Sequence, residues 1–226
     1  MSRFVQLSYR IDERSPLYPG TPALEIRNVK EIDKGDSCNT FSMTLSNHSG
    51  THIDAPRHFL NSGKPISEYL PDELIYNRPC LIDCPKGKDE LIGVKDLQSL
   101  SGKDDFDALL IRTGFCKYRN SNAEIYGYHN PCLTPEAAKW IRENYPKIRL
   151  IGIDTISISS YAHKGLGPLT HKILLGQEGF DGPPILILED MNLPDSIKKV
   201  DELIIVPVFS GRIDSSPCTA LGVIHD

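Results

Sequence analysis

Short apolar runs bounded by turn-forming residues make up most of the hydrophobic pattern of this chain. Several runs are rich in β-branched residues or alternate between apolar and polar positions, which is typical of strands. The pattern predicts eight strands, at residues 4–9, 24–32, 40–46, 80–84, 108–113, 150–154, 185–188 and 203–209. Strands therefore outnumber helices in the expected fold.

The clearest helix is predicted at residues 135–145. Thr134 can cap its start, and Pro135 suits its first turn. Its apolar side chains recur at helical spacing, at Ala137, Ala138, Ile141 and Tyr145. Weaker helical patterns occur at residues 93–100 and 170–175.

The mixture of elements predicts the fold class. A few helices among strands of both alternating and wholly apolar type favour a mixed α/β fold, with a largely β sheet or barrel core and helices packed outside it. A repeated βαβ fold would need more helices. The 17 glycines and 17 prolines are spread along the 226 residues and mark no linker. We therefore expect one domain over residues 1–226.

The charge balance narrows the class of partner. Lys and Arg total 25 against 30 Asp and Glu, a formal net charge of −5, which gives no basic excess to neutralise nucleic-acid phosphates. The sequence has no run of about 18 apolar residues and no secretory-type N-terminus, so no membrane association is expected. The six cysteines form no C-x-x-C pair and are expected to be reduced thiols. We expect a soluble, cytoplasmic protein that binds a small molecule.

Histidines are crowded into one segment. Three of the seven lie within residues 48–58. Residues 40–46 alternate strictly between polar and apolar side chains, as in a half-buried strand. If that alternation continues, His48, His52 and Asp54 share the polar face, which becomes a row of side chains that can bind metal.

The spacing of these side chains predicts a bend. At a rise of about 3.3 Å per residue, His52 and Asp54 lie about 6.6 Å apart and can reach one ion, whereas His48 and His52 lie about 13 Å apart. Bonds from a metal to histidine nitrogen are only about 2.0–2.1 Å long. His48 can therefore join the other two only if the backbone folds back, and Ser49 and Gly50 are where it can do so.

Two alternatives to this kind of metal site are weaker. The helical H-x-x-x-H of zinc proteases carries a Glu after its first His, where this chain has Ser49, and Gly50 and Pro56 oppose a helix. Surface loop histidines would account for one such residue more readily than for three with an aspartate. His58 lies beyond Pro56 and can approach from another direction. The pattern favours a metal site with an acid/base beside it.

Residues 48–58 read H-x-G-T-H-x-D-x-P-x-H, which resembles the signature of the cyclase family. That family contains bacterial kynurenine formamidases and isatin hydrolase. The resemblance implies a swivelling β/β/α-type fold. It extends over most of the chain, at residues 18–20, 110–114, 133–138, 152–155, 171–175 and 187–189.

The resemblance also implies a ligand set and an acid/base. The implied metal ligands are His48, His52, Asp54, His171 and Glu189, and the implied acid/base is His58. Glu178 competes with Glu189, because residues 176–184 contain extra residues between the two downstream ligands. Glu189 is favoured because it ends an apolar run that predicts a buried strand. His163 competes with His171 and lacks its following Leu pair.

Three histidines and two carboxylates suit one or two divalent ions, zinc or manganese, with an activated water. His58 and Glu189 are the expected catalytic residues. The resemblance implies hydrolysis of a C–N amide bond, with N-formylkynurenine giving kynurenine and formate as the leading reaction. The alternatives are an isatin-type cyclic amide as substrate, or a metal-binding protein without catalysis.

The sequence gives less information about the substrate and the oligomeric state. Formamidases of the family tend to carry a Trp in the segment that here is Leu17-Tyr18-Pro19-Gly20, where Tyr18 could still stack on an aromatic substrate. Lys164 and Arg112 are candidate partners for a substrate carboxylate, although charged residues beside strands are usually solvated. The resemblance implies a homodimer or higher homo-oligomer.

Overall fold

The computed structural model describes residues 2–176 and 182–225, which contain thirteen strands and three α-helices. The strands are β1 (Ser2–Gln6), β2 (Glu25–Lys30), β3 (Thr40–Thr44), β4 (His52–Asp54), β5 (Ile75–Tyr76), β6 (Pro79–Asp83), β7 (Leu91–Ile92), β8 (Ala108–Arg112), β9 (Cys132–Leu133), β10 (Leu150–Ile153), β11 (Leu186–Glu189), β12 (Glu202–Pro207) and β13 (Ser215–His225). The helices are α1 (Ala123–Tyr128), α2 (Pro135–Asn144) and α3 (Gly167–Leu174). Short 3-10 helices lie at Ile32–Lys34, Pro56–His58, Ile66–Glu68, Pro71–Leu74, Val94–Leu100, Phe115–Tyr118 and Tyr161–His163.

All eight predicted strands are present, with ends shifted by a few residues. The weak helical pattern at 93–100 is a 3-10 helix, and α3 begins three residues before its predicted start. The longest strand, β13, was not predicted, because it opens on Ser215, Ser216 and Pro217 and gives no clear alternation. Helix α1 was also missed; Asn122 caps it by accepting a hydrogen bond from the backbone N–H of Ile125.

Nine strands form one mixed sheet. Its order is β5-β12-β13-β4-β11-β10-β8-β6, with β1 paired to β13. Neighbours from β6 through β8 and β10 to β11 are parallel, and the remaining pairs are antiparallel. Strand β4 joins the parallel half to the antiparallel half. The expected mixed α/β fold with a largely β core and outer helices is confirmed.

The parallel strands are buried on both faces. In β8, Leu109 and Ile111 enter a core shared with α2 and α3, whereas Leu110 enters a second core on the opposite face of the sheet. The side chains of β10 and β11 alternate between the two cores in the same way, with Ile151 and Ile187 on the side of the helices. Because neither face meets solvent, β8, β10 and β11 are apolar except where β8 ends in Arg112 and β11 in Glu189.

Helix α2 follows the predicted pattern closely. The Thr134 hydroxyl accepts a hydrogen bond from the Ala137 N–H at 3.1 Å, and Ala137, Ala138 and Ile141 are buried in the helical-side core. Helix α3 packs beside α2. No helix in the described part of the chain has the length and apolar character needed to span a lipid bilayer.

Strands β2 and β3 form a separate hairpin outside the main sheet. The apolar residues of its alternating pattern lie in solvent, with Phe41 61% and Met43 55% exposed. Strand β3 ends at Thr44. The prediction that this strand runs into the histidine segment was therefore wrong, because a turn, closed by the Ser49 N–H donating to the Ser46 carbonyl, intervenes.

Candidate metal centre

The centre lies where β4 is sandwiched between β11 and β13. In the antiparallel pairing of β4 with β11, His52 lies opposite Glu189 and Asp54 lies opposite Ile187. On the other side Asp54 lies opposite Ser215. Two short stretches far apart in the sequence thus bring His52, Asp54 and Glu189 together in the interior of the sheet.

The predicted fold-back before β4 is confirmed. Gly50 has φ +64°, in the left-handed region, and a Cβ there would collide with the Ile11 side chain. The bend returns His48 towards His52, and their ring centroids are 5.1 Å apart. A flat strand would have held the two rings far out of reach of each other.

Four further distances define the cluster. His48 Nδ1 lies 3.2 Å from Asp54 Oδ1, and His52 Nε2 lies 3.6 Å from the same oxygen. His52 Nε2 is 3.3 Å from Glu189 Oε2, and His171 Nε2 is 3.5 Å from Glu189 Oε1. The structure therefore brings together all five side chains that the sequence suggested as ligands, with α3 supplying His171.

Backbone carbonyls orient two of the histidines. His52 Nδ1–H donates to the Gly50 carbonyl at 2.8 Å, and His171 Nδ1–H donates to the Gly167 carbonyl at 2.9 Å. Each ring is thereby held in one tautomer, with the lone pair of Nε2 facing the carboxylates. This arrangement leaves both Nε2 atoms ready to bind a metal.

Hydrogen bonds hold one oxygen of the Glu189 carboxylate in place. Its Oε1 accepts hydrogen bonds from the Ser157 hydroxyl at 2.9 Å and from the Ile158 N–H at 2.7 Å. Burial alone would raise the pKa of Glu189, but His171 and His52 beside it hold that pKa well below its usual range. Glu189 is therefore a buried carboxylate rather than a neutral acid.

His48 sits between two carboxylates. Burial alone would lower the pKa of His48, but the hydrogen-bonded carboxylate of Asp214 and the nearby carboxylate of Asp54 raise it to about 10. His48 Nε2–H donates to Asp214 Oδ2 at 3.0 Å, which leaves Nδ1 facing Asp54. Nδ1 is therefore the nitrogen of His48 that faces the cluster.

Several buried polar atoms at the centre have no hydrogen-bond partner. They are His52 Nε2, Asp54 Oδ1 and Asp54 Oδ2. Leaving such an atom unsatisfied costs about 1–3 kcal/mol, and more for a charged group. Ligand atoms of His52, Asp54 and Glu189 lie within 4.8 Å of one another. Imidazole nitrogens with carboxylate oxygens at this spacing fit a divalent metal ion.

His58 and Asp214 form a pair at the edge of the centre. His58 follows β4 on a 3-10 turn, and its Nδ1–H donates to Asp214 Oδ2 at 2.7 Å. Its ring centroid lies 4.4 Å from that of His48. Asn47 Nδ2 donates to the other oxygen of Asp214 at 2.6 Å. Asp214 is thus held in place to orient the His58 ring.

A cavity of about 470 Å³ opens onto this centre. His48, His52, His58, His171 and Glu189 line one part of it. The rest is formed by Tyr18, Gly20, Thr21, Pro22, Ser46, Phe59, Ile156, Ser157, Ser159, Ser160, Lys164, Gly167 and Pro168. Tyr18 and Lys164, two of the proposed substrate contacts, are therefore in the cavity.

The remaining candidates lie elsewhere. His163 Nε2–H donates to the Asp89 carbonyl, and His163 is not among the described residues that line the cavity. Arg112 pairs with Asp83 and donates to two backbone carbonyls, so it was wrongly suggested as a substrate contact. Glu178 lies outside the described residues. The geometry therefore supports neither His163 as a metal ligand nor Arg112 as a substrate contact.

Sequence reasoning missed Asp214 and Ser157. Asp214 is 156 residues away from His58 in the chain and belongs to no recognised motif. It precedes β13, the strand that the hydrophobic pattern did not reveal. Ser157 follows Asp154 in a segment of small polar residues that reads as a loop. Only the folded chain brings either residue to the centre.

Comparison with known proteins shows one family. The Cyclase family model, described as "Putative cyclase", matches residues 5–160. The kynurenine formamidase of Geobacillus thermodenitrificans (strain NG80-2) is 33% identical over 221 residues, which cover 97% of this chain and 97% of that protein. That of Bacillus cytotoxicus is 32% identical over 97% of both chains.

Solved structures share the fold. Isatin hydrolase A from Labrenzia aggregata, bound to benzyl benzoate, superposes with a TM-score of 0.83 at 22% identity, covering 100% of this chain and 94% of that chain. A structure described as a predicted metal-dependent hydrolase from Bacillus stearothermophilus gives a TM-score of 0.74 at 20% identity, covering 99% and 98%. At these identities the likeness is one of fold.

Proposed function

The chain belongs to the cyclase family and is a metal-dependent amide hydrolase, and we propose that it cleaves the formamide bond of N-formylkynurenine to give kynurenine and formate. The observation that carries this proposal is the convergence of unsatisfied buried atoms of His52 and Asp54 beside a cavity that also holds the partly exposed His58. The identity of 33% to a kynurenine formamidase over 97% of both chains supports the choice of substrate.

We assign the metal to the five side chains that face one another. They are His48, His52, Asp54, His171 and Glu189. Asp54 is central, since Oδ1 faces His48 and His52 while Oδ2 lies 3.8 Å from His171 Nε2. This mixed set suits one or two ions of zinc or manganese. The metal would supply Lewis-acid polarisation of the carbonyl and a bound water of lowered pKa.

His58 is the residue that we assign to proton transfer. Because its Nδ1–H is committed to Asp214, Nε2 is the nitrogen that can accept a proton. Nε2 takes the proton of the attacking water and returns it to the leaving amine nitrogen, so that the C–N bond breaks to give formate and the amine. Asp214 maintains the tautomer and stabilises the charged ring.

Glu189 remains a ligand in this scheme. Its Oε1 is occupied by Ser157 and Ile158, and its Oε2 lies 3.3 Å from His52 Nε2. A carboxylate with one oxygen occupied by two donors and the other facing the proposed metal ligand His52 is poorly suited to carry protons. We therefore assign proton transfer to His58 alone.

The cavity suits an aromatic amide. A volume of about 470 Å³ is in the range of small-molecule sites. Phe59 packs against His58 and His171, with ring centroids 4.6 and 4.9 Å away, and Tyr18 adds a second aromatic side chain. An aryl ring can pack between such groups while its formamide lies at the metal.

A purely structural metal site does not explain this geometry. Structural zinc is normally enclosed by four Cys or His ligands. Here two ligands are carboxylates, and His48 and His58 keep about a quarter of their side-chain surface exposed, 24% and 25%. Among the described residues that line the cavity there is no cysteine. The arrangement is that of an open, reactive site.

Hydrolysis assays on zinc- and manganese-loaded protein test the proposal. We expect turnover of N-formylkynurenine, release of formate, and slower turnover of isatin. His58→Ala should lose turnover while retaining metal, and His52→Ala should lose both. His225→Ala, at an exposed position on β13, is the control. Faster cleavage of isatin than of N-formylkynurenine would reassign the substrate, and metal-loaded protein inert to both would contradict the proposal.

We also propose that the chain forms a homo-oligomer through the hairpin of β2 and β3. Phe41 and Met43 are each more than half exposed on it, and Ile26, which pairs with Met43, is 37% exposed. Apolar side chains grouped in this way on a projecting hairpin are typical of an interface. Light scattering should show a dimer or larger species, and Phe41→Ser should shift it towards monomer.

A further inference from the structure

One positively charged side chain, that of Lys164, lines the cavity. Lys164 is the only lysine or arginine among the described residues that line it. The same cavity is lined by the histidines and Glu189 of the metal centre. The reacting end of a bound molecule therefore lies among the metal ligands, while its other groups can meet a positive charge.

Aromatic rings hold this lysine in place. Its Nζ lies 3.6 Å from the centroid of the Tyr161 ring, a cation–π distance. Tyr161 in turn makes edge contacts with Tyr18 at 6.3 Å and with Tyr128 at 5.1 Å. A lysine whose side chain is already ordered loses less conformational entropy when it binds an anion.

The charge of Lys164 is not neutralised by the protein. Within residues 2–176 and 182–225 it forms no ion pair, unlike Lys64, Lys86 and Lys147, which each pair with a carboxylate. The first turn of α3, at Gly167 and Pro168, lines the same cavity, and the positive end of a helix dipole adds to the potential there. This wall of the cavity is therefore suited to an anion.

We propose that Lys164 is a specificity-determining residue that selects amide substrates carrying a carboxylate away from the scissile bond. The proposal rests on the function assigned above and adds the class of substrate. A carboxylate on Lys164 would orient the aryl amide with its formyl carbon towards the metal centre, and a neutral aryl formamide would lack this second anchor.

Matched substrates test the proposal. N-formylkynurenine carries an α-amino acid group with its carboxylate, and 2-formamidoacetophenone is the corresponding aryl formamide that lacks this whole group. We expect Lys164→Gln to lower the ratio of kcat/KM for the first substrate over the second by about five- to tenfold, mainly through KM, since a partly exposed charge pair contributes modestly. Lys164→Glu should lower the ratio further. Lys139→Gln, an exposed position on α2, should leave it unchanged.

Two further arms complete the test. N-formylanthranilate carries its carboxylate on the ring, so equal sensitivity of its KM to Lys164→Gln would mean that Lys164 recognises either kind of carboxylate. Calorimetric binding of kynurenine and of 2-aminoacetophenone does not depend on turnover, and so separates this proposal from the proposed function. If Lys164→Gln weakens both ligands equally, or neither, the selective role of Lys164 is wrong, whatever the enzyme hydrolyses.

Discussion

Thr51 and Asp190 tie together the two strands that carry the metal ligands. The Thr51 hydroxyl donates a hydrogen bond of 2.6 Å to the carbonyl oxygen of Asp190. Thr51 directly precedes His52, and Asp190 directly follows Glu189. This bond therefore braces the pair in which His52 lies opposite Glu189.

Removing that hydroxyl should weaken metal binding. Thr51→Val keeps the side-chain volume but deprives both the Asp190 carbonyl and the Tyr9 N–H, which donates to the hydroxyl, of their partner. We expect a loss of about 1–3 kcal/mol in unfolding free energy, together with a lower metal affinity. Urea unfolding and calorimetric metal titration measure the two. Thr219→Val, at an exposed position on β13, should change neither.

A buried ion pair that includes the same Asp190 lies at the end of β11. Arg119 binds Asp190 with both Nε and Nη2, at 2.8 and 2.7 Å, and Tyr126 donates to the same carboxylate at 2.6 Å. Arg119 is 5% exposed and Asp190 is fully buried. Arg119→Met leaves a buried carboxylate without its charge partner, which should cost about 3–5 kcal/mol in unfolding free energy.

Chemical denaturation measures the unfolding free energy of Arg119→Met, and a variant of a surface ion pair provides the comparison. Arg78 and Asp105 form an ion pair at 3.0 Å with more than half of each side chain exposed. Arg78→Met should cost less than about 1 kcal/mol. Equal losses for the two variants would mean that burial does not determine the strength of the Arg119 pair.

Gly50 should be irreplaceable for a steric reason. Its φ of +64° disfavours any L side chain, and a Cβ would also collide with Ile11. Gly50→Ala should lower both the melting temperature and the affinity for metal, because His48 can no longer fold back. Gly102→Ala is the control, since its φ of +79° is also left-handed but a Cβ there meets nothing within 4 Å. If both variants behave alike, backbone strain alone accounts for the loss.

The sequence revealed the parts of the centre that follow local rules. Alternation and apolar content found the strand that carries Glu189 and the helix capped by Thr134. The separation of His48 from His52 along a flat strand required a bend at Gly50, and the bend is there. These features depend on a few neighbouring residues, so a single sequence contains enough information to predict them.

The features that the sequence could not reveal depend on contacts between residues far apart in the chain. Asp214 reaches His58 only because β13 pairs with β4, which the hydrophobic pattern of β13 did not show. The hairpin that carries Phe41 alternates like a core strand, but its apolar face lies in solvent. Alternation identifies a strand but not what covers its apolar face, since a partner subunit and a core leave the same pattern.

Metal should stabilise the native protein strongly. A ligand that binds only the folded state adds about 2.7 kcal/mol at 100 times its Kd, which corresponds to a rise of roughly 5–10 °C in Tm for a chain of this size. Differential scanning calorimetry with and without a chelator measures the shift. His52→Ala should lose most of it, whereas His225→Ala should keep it. An unchanged shift in His52→Ala would remove His52 from the ligand set.

Asp214→Asn should separate proton transfer from metal binding. An amide cannot stabilise a charged His58 as a carboxylate does, and its NH₂ group can impose the wrong tautomer. We expect kcat for the formamide substrate to fall by about 10²- to 10⁴-fold, with KM little changed and metal content, measured by elemental analysis, retained. Asp195→Asn is the control, because that side chain is 97% exposed. Asp214 also accepts a hydrogen bond from His48, so a loss of metal in Asp214→Asn would show that it supports the ligand instead. Full activity with metal retained would mean that His58 needs no carboxylate to transfer the proton.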